Sequence, residues 1–241
     1  MYPKIELLAF AAHPDDIEIS ISGTLLKHKA AGLKIGIVDL TKGELGTRGN
    51  ETIRSQESEK ASQLLNLDVR VNLGLKDGFL TNDEASLRSI VTEIRKYRPN
   101  IVLINAERDR HPDHGKAHTM LKEACFLAGL PKLITEHNGE NLEAWRPKNV
   151  FSYIQDYSLE PDILIDVTPF WKARMNTLLA YSSQFYNPNS DEMETPISSK
   201  SFLDSIEGRA IQWGRLINCQ YAEGLRKVNN FEVKLLTDLV S

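Results

Sequence analysis

Residues 5–12, IELLAFAA, run apolar without alternation until the chain breaks into His13-Pro14-Asp15-Asp16. A strand that is apolar on both sides of its pleat has to be covered on both faces, as strands of a parallel sheet are. Similar short apolar runs recur in LKIGIVDLT (33–41), VRVNLG (69–74), NIVLINA (100–106), NVFSYI (149–154) and DILIDVT (162–168). Between them the apolar spacing changes to three and four. Leu25 to Ala31 reads as helix stopped by Gly32, and residues from Glu51, 85–99 and 115–130 read as further helices. Two helical segments, about 169–182 and 200–218, close the chain. Such strand–helix alternation predicts an α/β fold with a mostly parallel sheet and helices on both faces.

One stretch conflicts with its neighbours. Asp16 to Ser22, DIEISIS, alternates apolar and polar residues and by itself would read as a strand. It follows a strand directly with no turn between, so a loop and first helical turn are expected instead. The polar stretch 187–201 reads as a long loop on the rim of the site. No linker divides the chain, so residues 1–241 are expected to form a single domain.

Composition narrows the function classes. With 41% hydrophobic and 26% charged residues the chain matches an ordinary globular protein. A formal net charge of −4, without a basic stripe, argues against a nucleic-acid partner. No apolar run is long enough to span a bilayer. Cys125 and Cys219 lie too far apart for a metal knuckle, and the absence of a disulfide framework fits a reducing cytoplasm. The N-terminus reads as a core strand rather than a signal peptide.

The candidate chemistry sits where strands end. Ligands of doubly wound sheets bind outside the carboxyl ends of the strands. His13-Pro14-Asp15-Asp16 follows the first strand, and His111-Pro112-Asp113-His114 follows NIVLINA after a short polar loop. Topology therefore brings two clusters together across about a hundred residues of sequence. Imidazole and carboxylate suit zinc, which in catalytic sites takes three protein ligands. His13, Asp16 and His114 are the expected ligands, although iron or cobalt would also accept this set. Asp15 is left to take a proton from metal-bound water. His111, held by Asp113, is left to stabilise an oxyanion and protonate a leaving amine.

These residues carry a resemblance. AHPDD after an N-terminal strand, with HPDH about a hundred residues later, is similar to the zinc-dependent N-acetylglucosaminyl deacetylases of the LmbE/PIG-L type. TKGELGTRGN, Arg54 with Glu57, and QYAEGLR resemble the same family, so the likeness runs from residue 12 to about 226. SQFYNP (183–188) and the chain length resemble the branch that deacetylates N-acetylglucosaminyl-malate in bacillithiol biosynthesis. The resemblance implies a Rossmann-like fold, a single Zn2+ per chain, an amino-sugar substrate, and assembly into trimers or hexamers. It matches His13, Asp16 and His114 to zinc ligands, Asp15 to the general base, and His111 with Asp113 to the pair beside the oxyanion. Arg54 corresponds to a substrate-contacting arginine.

Other residues read more plainly. Arg48 and Arg54 would clamp substrate carboxylates, for which a planar guanidinium is suited. His118 reads as a helix residue packed near the site, and Cys125 as core. An amidase of thiol S-conjugates, or a deacetylase of another amino sugar, would use the same chemistry. A nucleotide-binding protein or transferase is disfavoured, because GxGxxG and GxxxxGK[ST] are both missing after the strands.

Overall fold

A computed structural model describes residues 2–239. The strands are β1 (Leu7–Ala11), β2 (Ile35–Thr41), β3 (Val69–Leu75), β4 (Ile101–Ile104), a small hairpin β5 (Glu136–His137) and β6 (Glu140–Asn141), then β7 (Asn149–Tyr153), β8 (Ile163–Asp166) and β9 (Ala222–Lys227). The helices are α1 (Asp16–Ser20), α2 (Ser22–Ala30), α3 (Glu51–Leu65), α4 (Glu84–Tyr97), α5 (Pro112–Ala128), α6 (Trp171–Leu179) and α7 (Lys200–Leu216). Seven strands form one sheet in the order β3-β2-β1-β4-β7-β9-β8. The strands from β3 to β7 are parallel, and β9 runs antiparallel to both β7 and β8.

The unbroken apolar run of β1 has the expected cause. Leu8, Phe10 and Ala12 enter the core under α4 and α5, whereas Leu7, Ala9 and Ala11 enter the core under α1 and α2. All lie at or below 3% exposure, so neither face of the pleat meets water. Helix starts are fixed locally: the Asn50 side chain accepts from Ile53 N ahead of α3, and Asp83 accepts from Ser86 N ahead of α4. Gly32 stops the polypeptide after α2 at φ +83, where a side chain is strained.

The ambiguous DIEISIS segment is helical. Ile17, Ile21 and Leu25 lie four apart and are fully buried, a helical stripe hidden behind the alternation. The polar positions between them are also buried: Glu18 pairs with Arg70 at 2.7 Å. β1 already has β2 and β4 on its two sides, so the chain has no free edge there on which to continue as a strand. β9 was not expected at all. AEGLRK is short, and its pairing with β7 and β8 joins segments some 60 to 75 residues apart in sequence.

Candidate active site

The chain builds β1, β2 and β3 outward to one side of the sheet, then returns to place β4 on the other side of β1. That reversal opens a crevice at the carboxyl ends of β1 and β4, the place where open α/β sheets bind ligands. The HPDD segment leaves β1 there, and the HPDH segment follows β4 and opens α5. The rings of His13 and His111 lie 4.5 Å apart between centroids, and nitrogens of His13, His111 and His114 gather within 4.8 Å of one another.

Asp16 joins the two clusters. Its Oδ1 is 3.1 Å from His114 Nε2, and its Oδ2 is 3.8 Å from His13 Nδ1. His13 N and Asn105 Nδ2 donate to Oδ2 at 3.0 Å each, and Gln155 Nε2 donates to Oδ1 at 3.0 Å. The carboxylate is thus held from both sides. Burial would raise Asp16, but His114 and His13 outweigh it and hold the group well below the usual carboxylate range.

Protein partners on the ring nitrogens fix how each imidazole is turned. His114 Nδ1 lies 2.5 Å from Asp109 Oδ2, so Nε2 is the nitrogen that faces Asp16 and would offer its lone pair in the neutral ring. His13 Nε2 approaches Asp77 Oδ1 at 3.0 Å and Asp113 Oδ2 at 3.6 Å, leaving Nδ1 on the side of Asp16. His111 differs, because its Nδ1 accepts from Asp113 N at 3.3 Å. Its proton therefore sits on Nε2, which makes it a donor into the site rather than a lone pair for a cation.

Burial lowers His13, yet Asp113, Asp77 and Asp16 outweigh it and bring the imidazole to about 10. Burial likewise works against charge on His114, while Asp16 and Asp109 push it up to about 9. His111 goes the other way: burial, then the charges of His13 and His114, hold it below its ordinary value. With Nδ1 occupied by the Asp113 N–H, His111 presents Nε2 to the site.

Two further residues sit differently from expectation. The Asp113 carboxylate does not clamp His111. Instead its Oδ2 accepts from Gly78 N at 2.6 Å and faces His13, and its Oδ1 pairs with Lys116 at 3.2 Å. Only the Asp113 backbone N–H reaches His111, because Pro112 and Asp113 form the first turn of α5 with His111 as its cap. Arg48 is 6% exposed, and its Nε and Nη2 donate to the carbonyls of Met193 at 2.7 Å and Glu192 at 3.1 Å. It fastens the 187–201 loop rather than meeting the crevice as a free cation.

Asp15 and Arg54 form a pair of their own. Asp15 sits at φ 112 and ψ −24, a left-handed conformation that strains any side-chain-bearing residue. Arg54 Nη2 donates to Asp15 Oδ2 at 2.9 Å. Burial pushes the Asp15 carboxyl up to about 7, with Arg54 pulling down and Asp16 pushing up.

Sequence reading missed Asp77, Asp109, Asn105 and Gln155. Each follows the carboxyl end of a parallel strand, respectively β3, β4, β4 and β7. The rule that located the histidines would have located these had it been applied to acids and amides as well. His118 packs where expected, its Nδ1 3.0 Å from Asn105 O.

The donor set fits a divalent cation. Imidazole nitrogen and carboxylate oxygen are ordinary zinc donors, and His114 Nε2 and His13 Nδ1 lie 3.1 and 3.8 Å from the two different oxygens of the Asp16 carboxylate. Each candidate imidazole ligand is backed by a carboxylate, the usual support of metal-bound histidine. A bound cation would also stand in for the protons that otherwise keep two imidazoles charged beside each other.

Comparison with known proteins agrees with this geometry. The GlcNAc-PI de-N-acetylase family, PIG-L, matches residues 8–125, which contain both clusters. Diacetylchitobiose deacetylase from Thermococcus kodakarensis is 27% identical, over 92% of this chain and 83% of that protein. A probable N-acetyl-α-D-glucosaminyl L-malate deacetylase 2 from Bacillus anthracis is 26% identical, over 72% of this chain and 78% of its own length. The crystal structure of the conserved protein TT1542 from Thermus thermophilus superposes with a TM-score of 0.84 at 33% identity, covering 95% of this chain and 98% of that one. Together with the two clusters at the switch point, these likenesses make the chain a member of the PIG-L (LmbE) family of N-deacetylases.

Proposed function

We propose that the protein is a zinc-dependent N-deacetylase of an N-acetylglucosamine conjugate, with N-acetylglucosaminyl-malate as the substrate of first choice. The observation that supports the reading is that the Asp16 carboxylate lies between His13 and His114, 3.8 and 3.1 Å from their nitrogens, next to the strained Asp15. His13 Nδ1, an Asp16 carboxylate oxygen and His114 Nε2 would hold the cation. When bound, the cation supplies Lewis acidity toward the amide carbonyl and toward water.

The protein's own groups supply the proton transfers. Asp15 takes the proton of the attacking water on Oδ1, the oxygen not engaged by Arg54. His111 Nε2–H donates to the carbonyl oxygen as negative charge develops on it. The proton held by Asp15 then passes to the amide nitrogen, the C–N bond breaks, and free amine leaves with acetate, which returns Asp15 to its starting state. SQFYNP supports the malate conjugate, as does the Bacillus anthracis relative; the Thermococcus kodakarensis relative makes diacetylchitobiose the second compound to try.

The test is an amine-release assay on both compounds, with and without a chelator. Amine from the malate conjugate, abolished by chelation and restored by Zn2+, is the expected result. Turnover of diacetylchitobiose alone would move the substrate to another amino sugar, and chelator-resistant turnover would sink the metal reading.

A further inference from the structure

Arg54 lies on the buried face of α3, and its guanidinium is buried among loop carbonyls and a carboxylate. Its Nη2 donates to Asp15 Oδ2 at 2.9 Å and also to the carbonyl of Pro14, and its Nη1 faces the carbonyl of Gly43 at 3.5 Å. The residue is 6% exposed. A Cβ at Gly43 would fall 2.6 Å from Nη1, and one at Gly46 would fall 3.1 Å from it. Two glycines of the TKGELG loop therefore leave only the space that the guanidinium fills. Gly43 also has φ +66, so its conformation and this close approach both call for glycine.

The contacts of Arg54 fall on one strained point. Asp15 carries the left-handed backbone, Pro14 precedes it, and one planar group holds the Pro14 carbonyl and the Asp15 carboxylate together. Among the described residues Asp15 Oδ1 has no hydrogen-bond partner, while Oδ2 is held. We propose that Arg54 is a positioning residue for Asp15: it pins the strained turn, fixes one carboxylate oxygen and leaves the other turned to the reacting centre. This assignment rests on the deacetylase reading for its catalytic consequence, but its geometric core stands without it.

The test uses metal-loaded full-length protein with Arg54→Ala and Arg54→Lys, assayed on whichever acetylated sugar the unaltered protein cleaves. A misplaced catalytic group costs about 10²-fold, so R54A is expected to lose about that much in kcat at unchanged metal content. KM should stay within about twofold, the pattern of an interaction that matters only in the transition state. R54K, or free guanidinium ion added to R54A, should restore part of the rate. A KM raised about tenfold at unchanged kcat would make Arg54 a substrate contact and overturn the proposal, as would wild-type kinetics in R54A. Crystal structures of wild type and variant form the second arm, with the Asp15 carboxylate expected to shift by about 1 Å, a displacement large enough to slow chemistry. An unmoved Asp15 overturns the proposal. If no acetylated sugar is cleaved, the deacetylase reading fails, and the structural arm still decides whether Arg54 positions Asp15. Should R54A not fold, R54K carries the same readouts.

Discussion

Asp109 Oδ2 lies 2.5 Å from His114 Nδ1, and this contact decides which nitrogen of His114 faces Asp16. The Asp109 Oδ1 atom meanwhile accepts from Asp156 N at 3.0 Å and Tyr157 N at 2.8 Å, so the carboxylate ties the loop after β7 to the imidazole. Burial raises Asp109, but its bond to His114 outweighs this and keeps it ionised. Asp109→Asn preserves an acceptor for the two backbone N–H groups and removes the charge that backs His114. Carboxylates behind metal-bound histidines are worth about 10–100-fold in metal affinity or activity. Competition against a chromophoric chelator should show a loss of that size in D109N, and wild-type affinity would deny Asp109 the role.

Metal uptake should release protons. In metal-free protein His13 is raised to about 10 and His114 to about 9, so both are charged at neutral pH. A cation needs their neutral forms, so uptake in weakly buffered solution near pH 7 should acidify it, and affinity should climb with pH toward 9 or 10. The same shifts set the stability of the metal-free protein. Both folded values lie above the ordinary 6.5, so the stabilisation is complete below about 6.5 and fades as pH rises through 9 and 10. Denaturant melts of chelator-treated protein should show this loss on the alkaline side. Uptake without proton release would mean that other groups hold the cation.

Asp15→Asn separates the two adjacent aspartates. Asp16 keeps its contacts with His13, His114, Asn105 and Gln155 in that variant, so metal content should remain that of wild type. Activity should fall by about 10²–10⁴-fold, the range for a removed general base. An active D15N protein would take the proton-transfer role from Asp15.

How much of this was legible in the sequence follows from the range of each interaction. HPDD and HPDH stood out because each ends an apolar strand, and the strand is a local pattern. Ile17, Ile21 and Leu25 were legible only once helical spacing was weighed against alternation. Asp77 and Gln155 were within reach of the same strand-end rule, but their pairing with His13 and Asp16 depends on the sheet order, which sets β3 and β7 two strands from β1 on either side. Arg48 could not be placed for the same reason: its acceptors, Glu192 and Met193, lie about 145 residues further along. Nor could Asp113, where a helix start turned the backbone rather than the carboxylate toward His111.

Glu223 carries stability rather than chemistry. From β9 it accepts from Gly23 N at 3.0 Å and Thr24 N at 2.6 Å, near the start of α2, and from Arg174 Nε at 3.3 Å. Arg174 is 2% exposed, and burial pulls its guanidinium down while Glu223 holds it up. Glu223→Ala would leave that guanidinium and two helix N–H groups without their carboxylate. Removing one partner of a buried pair costs about 3–5 kcal/mol, which equilibrium unfolding should register in E223A. Glu223→Gln, which retains an acceptor, should lose less; equal losses would place the effect in packing instead of the cap.

Arg48 distinguishes a loop fastener from a substrate clamp. Its Nε and Nη2 hold the Met193 and Glu192 carbonyls, and its own carbonyl accepts from Gln184 Nε2 at 2.8 Å. The 187–201 loop is therefore tied to the loop that follows β2, with Met193 itself 74% exposed. Bonds from a charged donor are worth about 1.5–3 kcal/mol, so Arg48→Ala should raise the open population of this loop by about tenfold or more. Limited proteolysis follows that population when opening and closing outpace cleavage, and cleavage within 187–201 should accelerate in proportion. A residue that clamped substrate carboxylates would instead raise KM and leave the loop as protected as in wild type.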